Sequence, residues 1–120
     1  MALRAVRGAI QIDADERQAI FDGSQEMVAA VLERNQLAVS DLVSIVFTAT
    51  PDLTADFPAY AARQMGLTDV PLLCACEIDV PGAMPRVLRL LALAETPLSA
   101  AEIRHVYLRG AGALRTDLHT

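Results

Sequence analysis

The sequence predicts an α/β fold, a mixed β-sheet covered by helices, on three observations. Short apolar runs of strand length alternate with segments of helical pattern in the order β-α-β-α-β-α-β, the pattern of a sheet with helices on its faces. The chain has 120 residues, the length of one domain over 1–120. Its apolar fraction is 53% with two Tyr, three Phe and no Trp, so the core has to be built from Leu, Val, Ile and Ala.

Leu3 to Ile12 reads as the first strand, with Val6, Gly8, Ile10 and Ile12 on one face and Leu3, Ala5, Arg7 and Ala9 on the other. Arg7 is a cation among small apolar residues, directly before Gly8. It reads either as an edge charge that discourages aggregation or as a ligand for an anion that approaches over the glycine. Asp13 and Asp15 are candidate N-caps for a helix that runs to about Asn35. Ile20, Met27, Val28, Val31 and Leu32 make its apolar stripe, and Glu26, Glu33 and Arg34 a solvated face. Gly23 within it costs about 1 kcal/mol against Ala.

Ser40-Asp41 is a cap or turn signal. Leu42 to Thr48 is then a strand, with Val43, Ile45 and Phe47 on one face and Val46 on the other. Pro51 and Asp52 end it in a turn. Pro58 suits the first turn of a short helix through Ala59, Ala62, Arg63 and Met65, and Gly66 suits its C′ position.

Leu72 to Cys76 is an apolar run of the kind expected for a buried strand. It delivers Glu77 and Asp79 to the turn signal Pro81-Gly82. A helix is expected from about Pro85 to Ala94, carrying Arg86 and Arg89. Ser99 and Glu102 fit a capping box. Ile103 to Leu108 is a last strand with Ile103, His105 and Tyr107 on one face, and Gly110 and Gly112 loosen the chain before Ala113-Leu-Arg115. Sites in open α/β sheets form at strand ends. A site is therefore expected where Glu77 leaves its strand, with Arg89 supplied by the next helix. Strict alternation puts Cys74 and Glu77 on opposite faces, so both line one site only if the strand ends or bulges between them.

The composition excludes several classes. A net charge of −5 argues against general nucleic-acid binding, yet leaves room for a small anion held by a local cluster of Arg. No apolar run approaches the ~20 residues of a membrane helix. The N-terminus lacks the apolar region of a signal peptide, and a cytoplasmic protein is expected. The two cysteines, Cys74 and Cys76, suggest no disulfide framework. A small chain this apolar has surface left to bury, which favours an oligomer.

Gly-x-Gly-x-x-Gly, P-loop and Gly-x-Ser-x-Gly motifs are absent from the sequence. Cys74-x-Cys76 with His105 and His119 matches no common zinc spacing. Cys74 as a nucleophile needs a neighbouring base; a small buried apolar role suits it better. The polar residues left near turns or on small-residue faces are Arg7, Arg63, Glu77, Arg89, Tyr107 and Arg115. Four Arg and one Glu suit a small dianion, acted on by positioning and electrostatics and not by proton shuttling.

The pieces Arg4-Ala-Val-Arg-Gly-Ala9, Ala49-Thr-Pro-Asp-Leu53, Phe57-Pro-Ala59 with Arg63, Val70-Pro71, Cys74-x-x-Glu77-x-Asp-Val80, Arg89, Ile103-Arg-His-Val-Tyr-Leu108 and Leu114-Arg115-x-Asp-Leu118 together resemble the trimeric α/β class of chorismate mutase. The resemblance covers about residues 3 to 118 in order. It implies the intramolecular Claisen rearrangement of chorismate to prephenate, on the route to Phe and Tyr, with no cofactor and no metal. It implies Arg89 as donor to the ether oxygen and Glu77 as acceptor for the ring hydroxyl. Arg7 and Tyr107 are implied to hold substrate carboxylate, with Arg63 assisting at the entrance and Cys74 lining the site. Phe57, Ala59, Leu73 and Leu114 are implied as wall residues and Arg115 as part of a closing C-terminal segment. A pseudo-α/β-barrel homotrimer is implied, with a site in each cleft between subunits. The chain departs from the family pattern in having Tyr60 where a Lys is common, and Gly82-Ala83 where Gly-Gly often follows the turn. The competing reading is a non-catalytic trimer that binds a small dicarboxylate. A degenerate pocket is expected to lose Arg89 or Glu77, and both are present. A deaminase or hydrolase on a similar scaffold lacks an evident base or metal.

Overall fold

The computed structural model describes residues 1–115, the last of them by its backbone only. The Asp-Leu118 end of the last family-like piece, His119 and the Arg115 side chain lie outside the described residues. The elements are β1 (Ala2–Gln11), α1 (Arg17–Arg34), β2 (Leu42–Ala49), α2 (Pro58–Gln64), β3 (Leu72–Cys76), β4 (Val87–Thr96) and β5 (Val106–Leu108). Short 3₁₀ segments lie at Val39–Asp41, Ala100–Glu102 and Arg109–Arg115.

The strands form a five-stranded mixed sheet in the order β3-β2-β4-β1-β5. β4 runs antiparallel to both β1 and β2, while β1–β5 and β2–β3 are parallel. The helix expected at 85–94 is therefore corrected to the central strand of the sheet. Its residues Leu88, Leu90, Ala92 and Ala94 are buried, whereas Arg89, Leu91, Leu93 and Glu95 point the other way. Leu and Ala are good helix formers, but an unbroken antiparallel register from Ala2↔Thr96 to Gln11↔Val87 overrides that preference. A nearly continuous apolar run does not separate a buried strand from a helix by period alone.

Helices cover one face of the sheet. Val6, Ile10, Ile45, Phe47, Leu88, Leu90 and Val106 pack there against Ile20, Met27, Val28 and Val31 of α1 and Ala61 and Ala62 of α2. Gly23 has a packing reason: a Cβ built there comes within 2.5 Å of Ile12 Cγ2, so the glycine lets α1 lie close on the sheet.

Four local expectations change. The buried face of β2 begins with Leu42, not Val43, because a register shift between Leu42 and Ser44 pushes Val43 out to 41% exposure. β3 is an edge strand, half-exposed, and not a buried one. Neither Asp13 nor Asp15 caps α1; Glu16 holds the N-cap position without a side-chain bond. The last strand is only Val106–Leu108. The remaining punctuation follows the sequence. Pro58 opens α2, and Gly66 takes a φ of 112° just past its C-cap Met65. Pro81-Gly82 turns through a φ of 84° at Gly82, with Ala83 N–H donating to Val80 O at 3.1 Å. Ser99 N–H donates to Glu102 Oε1 at 2.8 Å.

Candidate active site

The face of the sheet away from the helices is open. Cross-strand register lines up Ala75 of β3, Thr48 of β2, Arg89 of β4, Ala9 of β1 and Tyr107 of β5 in one row. The next row on the same face holds Leu73, Val46, Leu91 and Arg7. Alternation thus sends Arg7, Arg89 and Tyr107 to one surface, with the small Ala9 between them. Arg7 is half-buried and its Nε is buried with no hydrogen-bond partner among the described residues. A buried donor of this kind costs free energy until an acceptor reaches it. The Arg7 amide donates to His105 Nδ1 at 3.0 Å, a side-chain tie just before the start of β5.

Glu77 follows the end of β3. Its amide still donates to Ala49 O at 2.9 Å, and its side chain follows the alternation of Leu73 and Ala75 onto the open face, opposite Cys74. There Oε2 accepts the Thr48 hydroxyl at 2.6 Å and lies 3.1 Å from Arg89 Nε. The Arg89 contact is an ion pair without hydrogen-bond alignment, since Nε makes no geometrically proper bond. The Glu77 side chain is 18% exposed and that of Arg89 41%. A cavity of about 240 Å³ opens beside them, walled by Pro51, Ile78, Met84 and Pro85. Arg86, at the start of the return into β4, takes a φ of 54°. Its backbone N–H donates to Asp52 Oδ2 and its Nε to Ile12 O, each at 2.9 Å, which fixes where β4 begins and so where Arg89 falls.

A second cluster forms at the β3 edge under α2. Phe57, Ala59, Tyr60, Arg63, Leu72, Leu73 and Cys74 line a cavity of about 320 Å³. Cys74 is on the helix-covered side, in register with Phe47. Burial pushes its thiol up, against smaller opposing effects of the Ala59 amide and the Arg63 charge. A raised thiol stays protonated near neutral pH and is a poor nucleophile. The segment that carries Phe57 is pinned to the start of α1. Asp15 accepts from Thr54 N–H at 2.9 Å, Ala55 N–H at 3.0 Å and the Thr54 hydroxyl at 2.9 Å. Arg17 Nε pairs with Asp56 Oδ2 at 2.9 Å, and its guanidinium lies 4.9 Å from the Phe21 ring and 5.9 Å from the Tyr60 ring. Tyr60 thus packs with a cation supplied by α1.

The structure therefore groups Arg7, Glu77, Arg89 and Tyr107 on the open face, and Phe57, Ala59, Arg63, Leu73 and Cys74 at the β3 edge. Leu114 belongs to neither group; it is half-buried in the 3₁₀ segment that packs on β1. Asp79 is exposed in the turn. The sequence reading missed Thr48, Asp15 and Arg17 as parts of this architecture. Thr48 carried one signal, a hydroxyl on the strand face opposite Ile45 and Phe47.

Arg89 paired with Glu77, with Arg7 and Tyr107 on the same face of a mixed α/β sheet, fits the class of protein that binds and orients a small anionic molecule. A family model described as chorismate mutase type I matches residues 3–118. The chain is 46% identical over 119 residues to "Chorismate mutase AroH" of Thermus thermophilus, covering 98% of both chains. It is 35% identical over 119 residues to "Chorismate mutase AroH" of Bacillus subtilis (strain 168), covering 98% of this chain and 94% of that one. A solved structure, "Chorismate mutase from Clostridium thermocellum Cth-682", superposes with a TM-score of 0.90 at 40% identity, over 92% of this chain and 98% of that one. The chain belongs to the type I chorismate mutase family.

Proposed function

We propose that this chain is a chorismate mutase of aromatic amino-acid biosynthesis in which Arg89 and Glu77 form the reacting end of the site. The observation that carries the assignment of roles is the Glu77–Arg89 pair, 3.1 Å apart on the same face as Arg7, whose Nε has no hydrogen-bond partner among the described residues. The reaction is an intramolecular rearrangement. One C–O bond breaks as one C–C bond forms, and the electrons move in a ring within the substrate, so the protein supplies no nucleophile and moves no proton.

Its task is to hold the substrate folded and to stabilise the charge that grows as the C–O bond opens. Arg89 Nε lies 3.1 Å from Glu77, and the outer guanidinium nitrogens are left to donate to the ether oxygen. That bond strengthens as the oxygen becomes negative, so it favours the transition state over the substrate. Glu77 accepts the ring hydroxyl and sets negative charge against a ring that becomes electron-poor. Arg7 and Tyr107 hold carboxylate, and the small Ala9 lets them approach.

The second cluster, with Arg63, Cys74, Phe57, Ala59 and Leu73, lies at the β3 edge, apart from the Arg7, Arg89 and Tyr107 group within one chain. We assign it to the neighbouring copy's site, in a homotrimer whose clefts bring the open face of one chain to the β3 edge of the next. Exposed apolar residues on that face and edge, Leu3, Val46, Leu73 and Leu91, support this assembly. Leu114 and Arg115 are assigned to the closing segment. The free thiols of Cys74 and Cys76 suit a cytoplasmic enzyme.

The test follows chorismate absorbance with purified wild type and Arg89→Ala. Wild type is expected to turn over and Arg89→Ala to lose roughly 10²- to 10³-fold in kcat, the scale for one electrostatic donor. A wild type no faster than the uncatalysed reaction sinks the activity, and equal rates sink the role of Arg89. Light scattering that gives the mass of a single chain sinks the trimer.

A further inference from the structure

Resting on that reading of the site, we propose that Thr48 is a positioning residue for the reaction, which commits one oxygen of Glu77 to the protein and reserves the other for substrate. Glu77 is the first residue past β3; its amide still donates to Ala49 O at 2.9 Å, so its backbone is held while the carboxylate depends on side-chain partners. Two groups reach it from the sheet, the Thr48 hydroxyl at 2.6 Å and Arg89 Nε at 3.1 Å, and both reach the same atom, Oε2. Among the described residues Oε1 accepts no hydrogen bond. An ionised carboxylate only accepts, so the Thr48 hydroxyl is the donor. The 2.6 Å separation is that of a charge-assisted O–H···O⁻ bond, stronger than a neutral one.

The placement of Thr48 makes the device stiff. It sits in β2 between Ala75 of β3 and Arg89 of β4 in register, and its branched Cβ has few rotamers. Ala75 offers only a methyl group, so the Glu77 carboxylate can fold back over β3 to reach the hydroxyl. The Arg89 contact lacks hydrogen-bond alignment, so it attracts the carboxylate without orienting it. Orientation is left to the threonine. Without its hydroxyl, the carboxylate is free to rotate and to offer either oxygen to Arg89, and the substrate hydroxyl meets an acceptor that is no longer fixed.

Thr48→Val keeps the shape and removes the hydroxyl, Thr48→Ala removes both, and Thr48→Ser keeps the donor. Thermal midpoints, kcat and KM for chorismate are measured for all. Val and Ala are expected to lower kcat/KM by roughly 10- to 100-fold, the scale of a misplaced catalytic group. The loss falls mainly in kcat, because the charge of Glu77 matters most in the transition state. Ser is expected to restore most of it, with thermal midpoints close to wild type throughout. Wild-type rates in Val and Ala overturn the proposal, as does Ser as slow as Val. A crystal structure of Thr48→Val reads the same point without turnover. Glu77 is expected to leave its Oε2 contact with Arg89; an unmoved carboxylate overturns the proposal. A wild type without turnover instead removes the functional reading beneath it.

Discussion

Arg89 and Glu77 meet at 3.1 Å although the strands that deliver them are not neighbours. Arg89 belongs to β4 and Glu77 follows β3, with β2 lying between the two. The pair therefore bridges β2, and its geometry depends on where three parts of the sheet place their ends. A lysine at position 89 keeps the positive charge but loses the planar fork that, in the proposed role, serves carboxylate and ether oxygen at once. Arg89→Lys is expected to fold normally and to lose roughly 10²-fold or more in kcat. Circular dichroism beside the turnover assay checks this, and near-wild-type kcat in the lysine variant contradicts it.

Gly23→Ala weighs helix propensity against packing. Alanine favours the helix by about 1 kcal/mol. The added Cβ, however, meets the Ile12 Cγ2 branch at 2.5 Å, and Ile12 is buried. Overpacking of this kind costs about 1–3 kcal/mol, so the net effect is destabilising by roughly 1 kcal/mol. Urea unfolding of the two proteins decides the sign; a more stable Gly23→Ala shows that α1 shifts freely.

Asp15 gives the fold an acid-sensitive tie. Its carboxyl is held below the ordinary value of 3.8, chiefly by the Thr54 amide, with the Thr54 hydroxyl and Ala55 amide adding to this and desolvation opposing it. A depressed value means that the charged form prefers the folded state. The stabilisation is present above pH 3.8 and is lost as pH falls through the lower folded value. Asp15→Asn keeps an oxygen for the amides but not the charge. It is expected to be less stable than wild type at neutral pH, with the gap closing in acid. Urea midpoints from pH 7 to pH 2 measure it, and a gap independent of pH rules the tie out.

The legible part of this molecule was its alternating strands and its punctuation. Val6, Gly8 and Ile10 reveal the buried face of β1 by their spacing, and the same spacing exposes Arg7 as an anomaly. The Pro58, Gly66 and Pro81-Gly82 signals act locally and therefore read correctly. β4 was not legible, because its Leu and Ala residues suit a helix and only pairing with β1 and β2 makes it a strand. Position 43 failed for a related reason: a bulge is a property of two strands. Glu77 stood out at the end of its strand with Arg89 on the next element, and the family resemblance supplied their roles, but their meeting across β2 is a fact of topology. Thr48 looks like any branched residue of a strand. The bonds of Asp15 reach 39 residues along the chain to Thr54, beyond any local pattern.

The two clusters of candidate site residues lie at different places on one sheet, the open face and the β3 edge, and this has a consequence for mixed assemblies. In the proposed trimer each cleft takes Arg89 from one chain and Arg63 from the next. A chain with Arg89→Ala and a chain with Arg63→Glu are then each defective in every cleft of their own trimers. Unfolded together and refolded, they form hybrids, and each hybrid ring has one cleft that draws both halves from intact faces. An equal mixture is expected to recover roughly a quarter of wild-type turnover. Two weak enzymes thus complement each other, and a substitution that is harmful in one gene copy can be partly masked by a different harmful substitution in another.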